Sequence, residues 1–472
     1  MNKKTKGGSS YYEQITRQYD FPSRSFEVRE GRLFFHGLDL QKIAAHYGTP
    51  LRFSYLPHIG SQIKKAQDLF KESIRSLNYE GSYTYCYCTK TSYFPFLMEE
   101  VFRNKDVHLE ISSAQDIPIV RALHQGKKID KDRYILANGH KISNYWQGLS
   151  DLIQDGFSRC IPILDELGEL DHYENTLSQP YSVGIRIATH DPGFPFHTSR
   201  LGIRDTDIVS LYREKIVPSR AELRMLHFFL NKGIRDEAKV WAELERLVQI
   251  YCDLRKLEKN LTILDIGGGM PIQDSLGFSF DYSRVIHKIV QTIQKVCAKN
   301  RVPCPDIFTE FGTYTVGESE GVLYSVVGEK QQGDKESWYL IDGSLMTHIP
   351  DVWGEKKKFL ILPVNGWNRE AHKTNVGGLT CDSLDYFSSD LNSSEVLLPK
   401  NQPTDPMLLG FFHTGAYQNF LVGFGGVNHC LIPSPQHVIF RATEEGISEE
   451  VFRPEQTTNQ ILSSLGYSGG KS

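Results

Sequence analysis

Between roughly residues 50 and 313, apolar runs recur with a nearly regular beat, and this rhythm restricts the fold more than any other feature of the chain. The runs are YTYCYCTK (83–90), DVHLEIS (106–112), RYILAN (133–138), RCIPIL (159–164), YSVGIRIA (181–188), ELRMLHFF (222–229), LTILDIG (261–267) and DIFTE (306–310). Most are separated by helix-like stretches such as SAQDIPIVRALHQG, DEAKVWAELERLVQIYCDLRKLEK and DYSRVIHKIVQTIQKVCAKN. Strands alternating with helices build parallel sheet, and eight such units predict a (β/α)8 barrel. A doubly wound open sheet is the competing architecture, but eight units within about 260 residues match a barrel better.

The first run shows what kind of strand this is. With period two, Tyr83, Tyr85, Tyr87 and Thr89 share one side, and Thr84, Cys86, Cys88 and Lys90 share the other. Neither side is polar enough to face water, as expected of parallel strands covered on both faces. Lys90 ends the run on the side of the small residues, where there is space for something other than side chains.

After residue 313 the texture changes. Short runs such as GVLYSVVG, SWYLIDG, KFLILPV, MLLGFFHTG and HVIFRAT are broken by Gly, Pro and Asn, which predicts an antiparallel β domain. FEVREGRLFFHG near the N-terminus reads as two further strands. The expected organisation is therefore residues 1–50 as a tail and strands that join the β domain, 51–313 as the barrel and 314–472 as the β domain.

Composition narrows the function. A net charge of −4 over 472 residues gives no reason to expect a nucleic-acid or membrane partner. Eight cysteines without a CxxC pair read as reduced thiols in a cytosolic protein, not as disulfides or a zinc site. The basic N-terminus has no apolar segment behind it, and no run is long enough to span a bilayer, so the expected location is cytoplasmic.

In a barrel the C-terminal ends of the strands carry the chemistry. Here those ends offer Lys90, Glu110, Asn138, Asp165, His227 with Phe229, Gly267–Gly269 and Glu310. A lysine among small neighbours can form a Schiff base with a carbonyl cofactor, although most lysines are solvated surface groups. LDIGGGMP (264–271) sets three glycines directly after a strand, where bare N–H groups can approach a phosphate. A similar pattern opens many methyltransferases, but usually in the first βα unit rather than the seventh, and a structural turn is the plain alternative. Glu310 in TEFG can pair with a protonated pyridine nitrogen, or simply end a strand. CDSLDYF (381–387) and HTGAYQ (413–418) read as loops, and DGSLMTHIPDVW (342–353) supplies two acids.

In this order the motifs resemble the fold-type III pyridoxal-phosphate decarboxylases of basic amino acids, whose barrel is of the alanine-racemase type. The resemblance runs from HGLDLQKIAAHYGTPL (36–51) to GAYQ, and LHFF, SLMTHIPDVW and CDSLDYF are most similar to the arginine decarboxylases. It implies pyridoxal 5'-phosphate as cofactor, with Lys90 holding it covalently and Glu310 at its ring nitrogen. Gly267, Gly268, Gly269 and Gly312 would cradle the phosphate, with Tyr417 beside it and Glu110 near the lysine. Cys381 matches a cysteine that returns a proton to the substrate and arrives from the other subunit of a homodimer. Asp382 and Asp351 are the acids expected to hold the far end of the substrate.

Two departures stand out. Where the family has His-Phe-His-x-Gly-Ser, this chain has HFFLNK. Phe229 then takes the ring-stacking place, or His227 in a shifted register, and Lys232 stands where a phosphate-binding serine would be. The family's Glu-Pro-Gly-Arg is Glu310-Phe311-Gly312-Thr313, without the arginine, a loss that Lys232 is expected to offset. The resemblance implies conversion of L-arginine to agmatine for polyamine synthesis. Diaminopimelate, ornithine or carboxynorspermidine are alternative substrates, an inactive homologue that binds a polyamine-pathway partner is the rival class, and a divalent ion is left open.

Overall fold

The computed structural model describes residues 9–166, 168–189, 199–229, 237–333, 336–387, 395–423 and 426–467. They fall into two compact units, one of Ile59–Pro271 with Phe280–Thr315, the other reaching to His58 and resuming at Ile272–Ser279 and from Val316 onward.

The first unit is a closed parallel barrel. Its strands are β1 (Tyr83–Cys88), β2 (Val107–Ile111), β3 (Ile135–Ala137), β4 (Cys160–Leu164), β5 (Tyr181–Arg186), β6 (Ala221–His227), β7 (Ile263–Asp265) and β8 (Asp306–Glu310). Every one lies within, or one residue from, an apolar run read from the sequence, so the (β/α)8 expectation is met. The barrel interior is filled by Cys86, Leu136, Ile161, Ile163, Met225, Ile263 and Phe308. Cys86 therefore points inward, while the tyrosines of β1 face the surrounding layer. Tyr83 stacks on Phe70 at 3.9 Å, and the Tyr85 hydroxyl meets Thr315 Oγ1 at 2.6 Å.

The helices of this layer form for local reasons. In Tyr282–Asn300, Val285, Ile286, Ile289, Val290, Ile293 and Cys297 are buried, which makes one apolar stripe of helical period. Asp281 caps that helix by accepting the N–H of Arg284. No described helix is long and apolar enough to cross a membrane.

The second unit holds a ten-stranded sheet and a separate three-stranded one. FEVREGRLFFHG forms the hairpin of the smaller sheet, Phe26–Arg29 against Arg32–Phe35, joined by Leu38–Asp39. Its Phe26, Leu33 and Phe35 pack with Phe53, Trp367, Phe412 and Phe440 in one core. The large sheet is mostly antiparallel, but two of its ladders are parallel, Leu51–Tyr55 with Gln436–Thr443 and Glu336–Ile341 with Ala371–Gly377. Leu51–Tyr55 lies in the stretch expected to belong to the barrel, yet its neighbours are Glu320–Gln332 and Gln436–Thr443. Its alternating apolar pattern suits a strand in either unit, and only the pairing decides.

Candidate active site

Barrel register gathers the polar strand ends. Glu310 on β8 lies opposite Cys86 of β1, Cys88 lies opposite Glu110 of β2, and His227 on β6 opposite Asp265 of β7. Two buried carboxylates thus flank β1, the strand that leads to Lys90.

Lys90 sits on a single 3-10 turn, Thr89–Thr91, immediately after β1. The turn is tied down on both sides. Thr89 Oγ1 donates to Asp116 Oδ1 at 2.8 Å, and Thr91 Oγ1 to the Cys88 carbonyl at 2.8 Å. Asp116 in turn accepts the N–H groups of Ser112 and Ser113. From this anchored base, Lys90 Nζ donates to Glu110 Oε2 at 2.6 Å. Burial raises the Glu110 carboxyl above the ordinary range, against the opposing pull of Lys90.

Glu310 is buried but stays ionised. Burial alone would raise its pKa, but His227, Lys90 and Arg186 outweigh it and bring it down to about 2. Its Oε1 accepts Asn138 Nδ2 at 2.6 Å and lies 3.2 Å from His227 Nε2. Asp265 behaves oppositely, pushed well up by burial and by the charge of Glu310. Two neighbouring acids with divergent pKa values divide proton holding from charge stabilisation.

The glycine turn follows β7. Gly267 adopts φ +68°, and its N–H donates to Asp265 Oδ1 at 2.8 Å. A Cβ on Gly268 would lie 2.5 Å from the Glu310 carbonyl oxygen, so only glycine permits this approach of β7 and β8. Phe229 lies beyond the end of β6 with its ring beside this turn, whereas His227 is the last residue of the strand and contacts Glu310. Lys232 lies outside the described residues.

The remaining expected residues belong to the second unit. Cys381 and Asp382 are on an exposed turn held by Asp385, which accepts Thr380 Oγ1 at 2.8 Å and the Met346 N–H at 3.0 Å. Tyr417 has left-handed backbone, φ +73°. Asp351 is buried, and its Oδ2 already accepts Gln418 Nε2 at 2.6 Å and Lys357 Nζ at 3.1 Å. Asp165 accepts the Gly202 N–H at 2.8 Å, a role in shaping the loop after β5. Sequence reading did not single out Asp265, masked as one more residue of an apolar run, or Arg186, near the end of another. It named Asn138 only as a strand end.

Comparison with known proteins accords with this arrangement. Residues 60–317 match the family described as pyridoxal-dependent decarboxylase, pyridoxal binding domain. The chain belongs to that family. It is 21% identical to a biosynthetic arginine decarboxylase of Marinobacter nauticus, over 86% of this chain and 82% of that protein. Arginine decarboxylase 2 of Arabidopsis thaliana is 22% identical, over 88% and 73%. Among solved structures, the biosynthetic arginine decarboxylase of Campylobacter jejuni superposes with a TM-score of 0.81 at 19% identity, covering 97% of this chain and 90% of that one. A diaminopimelate decarboxylase from M. jannaschii in complex with L-lysine gives 0.78 at 17%, covering 93% and 97%.

The barrel fits the pyridoxal phosphate that this family uses. Four buried atoms at its strand ends, Glu110 Oε1, Asn138 Oδ1, His227 Nδ1 and Asp265 Oδ2, have no hydrogen-bond partner among the described residues. Native interiors seldom leave so many polar atoms unmatched in one place, and a polar ligand there satisfies them. An amine, an ionised acid and a glycine turn are the donor set such a cofactor requires.

Proposed function

We propose that this chain is an arginine decarboxylase, releasing the α-carboxylate of L-arginine as carbon dioxide and leaving agmatine. The observation that carries the reading is the pairing of Lys90 with Glu110 beside an ionised Glu310 at the C-terminal ends of the barrel strands. When bound, pyridoxal phosphate supplies an electron sink for the pair of electrons left as carbon dioxide departs.

The residues divide the remaining work. Glu110 Oε2 takes the proton of the Lys90 ammonium, for which its raised pKa suits it, so that Nζ becomes nucleophilic. Glu310, fixed by Asn138 and His227, would keep a proton on the ring nitrogen by staying negative. Gly268, Gly269 and Gly312 would hold the phosphate, since the Gly267 N–H is already given to Asp265. Tyr417 and Lys232 are the further residues that the family resemblance assigns to it. Phe229 would cover a face of the ring. Cys381 returns a proton to the substrate carbon from the other subunit, which makes the working species a homodimer. Asp382 takes the guanidinium, a role it fills better than Asp351, whose carboxylate is already matched.

Arginine is favoured over diaminopimelate by the named arginine decarboxylases. Scattered thiols and an intracellular amino-acid substrate suit a cytoplasmic enzyme of polyamine synthesis. Incubation with arginine, ornithine, lysine and diaminopimelate, following carbon dioxide, is the test. Fastest release from arginine is expected, and preference for another substrate would refute the assignment.

A further inference from the structure

The second unit brings together three donor groups that sequence spacing does not associate. Cys381 lies on the turn between strands Ala371–Gly377 and Tyr386–Phe387, and His429 and Cys430 lie far downstream in the short turn His429–Leu431, where Cys430 leaves the helical conformation. Cys381 Sγ and Cys430 Sγ are 3.4 Å apart, and both lie within 4.8 Å of a ring nitrogen of His429. The Cys381 N–H also points at Cys430 Sγ, at 3.3 Å.

Four details make this more than a chance encounter. His429 Nε2 is buried and has no hydrogen-bond partner among the described residues, although the side chain as a whole is partly exposed. Asp382 Oδ2 approaches that nitrogen to 4.0 Å, too far for a hydrogen bond but within reach of a shared ion, while Oδ1 is occupied by the Leu384 N–H at 2.8 Å. Cys430 and Leu431 both adopt left-handed backbone, φ 52°, a conformation non-glycine residues rarely take without a reason. The sulfurs are too far apart for a disulfide, in which they are about 2.05 Å apart. They are near the separation of about 3.8 Å that two Zn–S bonds of about 2.3 Å impose at a tetrahedral centre.

We propose that Cys381, Cys430 and His429, with Asp382 as a fourth ligand, bind a soft divalent cation of the zinc type. Binding releases the two thiol protons to solvent as the thiolates coordinate, and the imidazole binds as the neutral ring. One consequence rests on the functional reading above. Cys381 cannot deliver a proton while its sulfur is coordinated, nor Asp382 hold a guanidinium, so the occupied site silences the decarboxylase.

Cobalt(II) added to the reduced, metal-free holoenzyme tests the site without reference to activity. One equivalent is expected to give a near-ultraviolet sulfur-to-metal charge-transfer band and the visible bands of tetrahedral cobalt, both abolished by zinc. Cys430→Ala should lose these bands, and His429→Asn should weaken binding by at least the roughly 10- to 100-fold seen when an outer partner is removed. Absence of the bands, their persistence in Cys430→Ala, or recovery of a Cys381–Cys430 disulfide peptide from the untreated protein would overturn the site. In parallel, zinc should abolish carbon dioxide release by the parent and leave Cys430→Ala active. Cobalt bands together with zinc-insensitive turnover would overturn the inhibitory role, and cobalt bands on a protein without decarboxylase activity would leave the site standing and refute the functional reading instead.

Discussion

Glu310 is a buried carboxylate that remains charged, and its surroundings explain how. Asn138 and His227 hydrogen-bond it, and Lys90 and Arg186 add positive potential that outweighs the cost of burial. Glu310→Gln keeps the shape and the Asn138 contact but removes the charge. Turnover should fall by about 10²–10³-fold, the usual cost of losing one preorganised electrostatic partner, with the fold intact. Steady-state kinetics beside circular dichroism checks this, and near-parent turnover would remove Glu310 from the chemistry. At this scale the sequence was legible where chemistry sits at strand ends. Lys90 and Glu310 stand out because each closes an apolar run. Glu110 and Asp265 lie inside such runs, between Leu109 and Ile111 and between Leu264 and Ile266. The first reads as an acid near a strand end, and only the fold shows the contact of the second with the glycine turn.

Strands and turns decide how close those residues come. β7 and β8 approach at Gly268 with no space for a side chain, so Gly268→Ala must push the Glu310 carbonyl away. Such overpacking costs about 1–3 kcal/mol and moves Glu310, so a lowered Tm and lost activity should appear together. A second prediction concerns Glu320, at the start of the Glu320–Gln332 strand. Burial pushes it up to about 7, against the opposing effects of Arg52 and Ser54. Its raised value means the folded chain holds a proton that the unfolded chain has lost between the ordinary carboxylate range and pH 7. Stability should therefore fall as pH climbs through that window, by at most about 3 kcal/mol. Urea midpoints at pH 5 and pH 8 measure the slope, and Glu320→Gln should flatten it. The eight barrel strands could be read in advance because each is a continuous apolar run covered on both sides. The place of Leu51–Tyr55 could not, because its partners come from residues 320–323 and 436–440, a long-range pairing no local pattern encodes.

For the whole molecule, the proposal that each active site draws Lys90 from one subunit and Cys381 from the other makes a quantitative prediction. Lys90→Ala and Cys381→Ala should each be nearly inactive. When the two are mixed and allowed to exchange subunits, half the dimers become hybrids with one intact site of two. About a quarter of parental activity should return, as two-fold symmetry requires. Exchange without recovery would mean that each chain builds its site alone.

The most direct test of the central claim is the position of the cofactor. Borohydride reduction of the pyridoxal-loaded protein, followed by peptide mass spectrometry, should place a single pyridoxyl group on Lys90 and none in Lys90→Ala. An adduct on a different lysine, or no adduct in a protein that still decarboxylates arginine, would contradict the account.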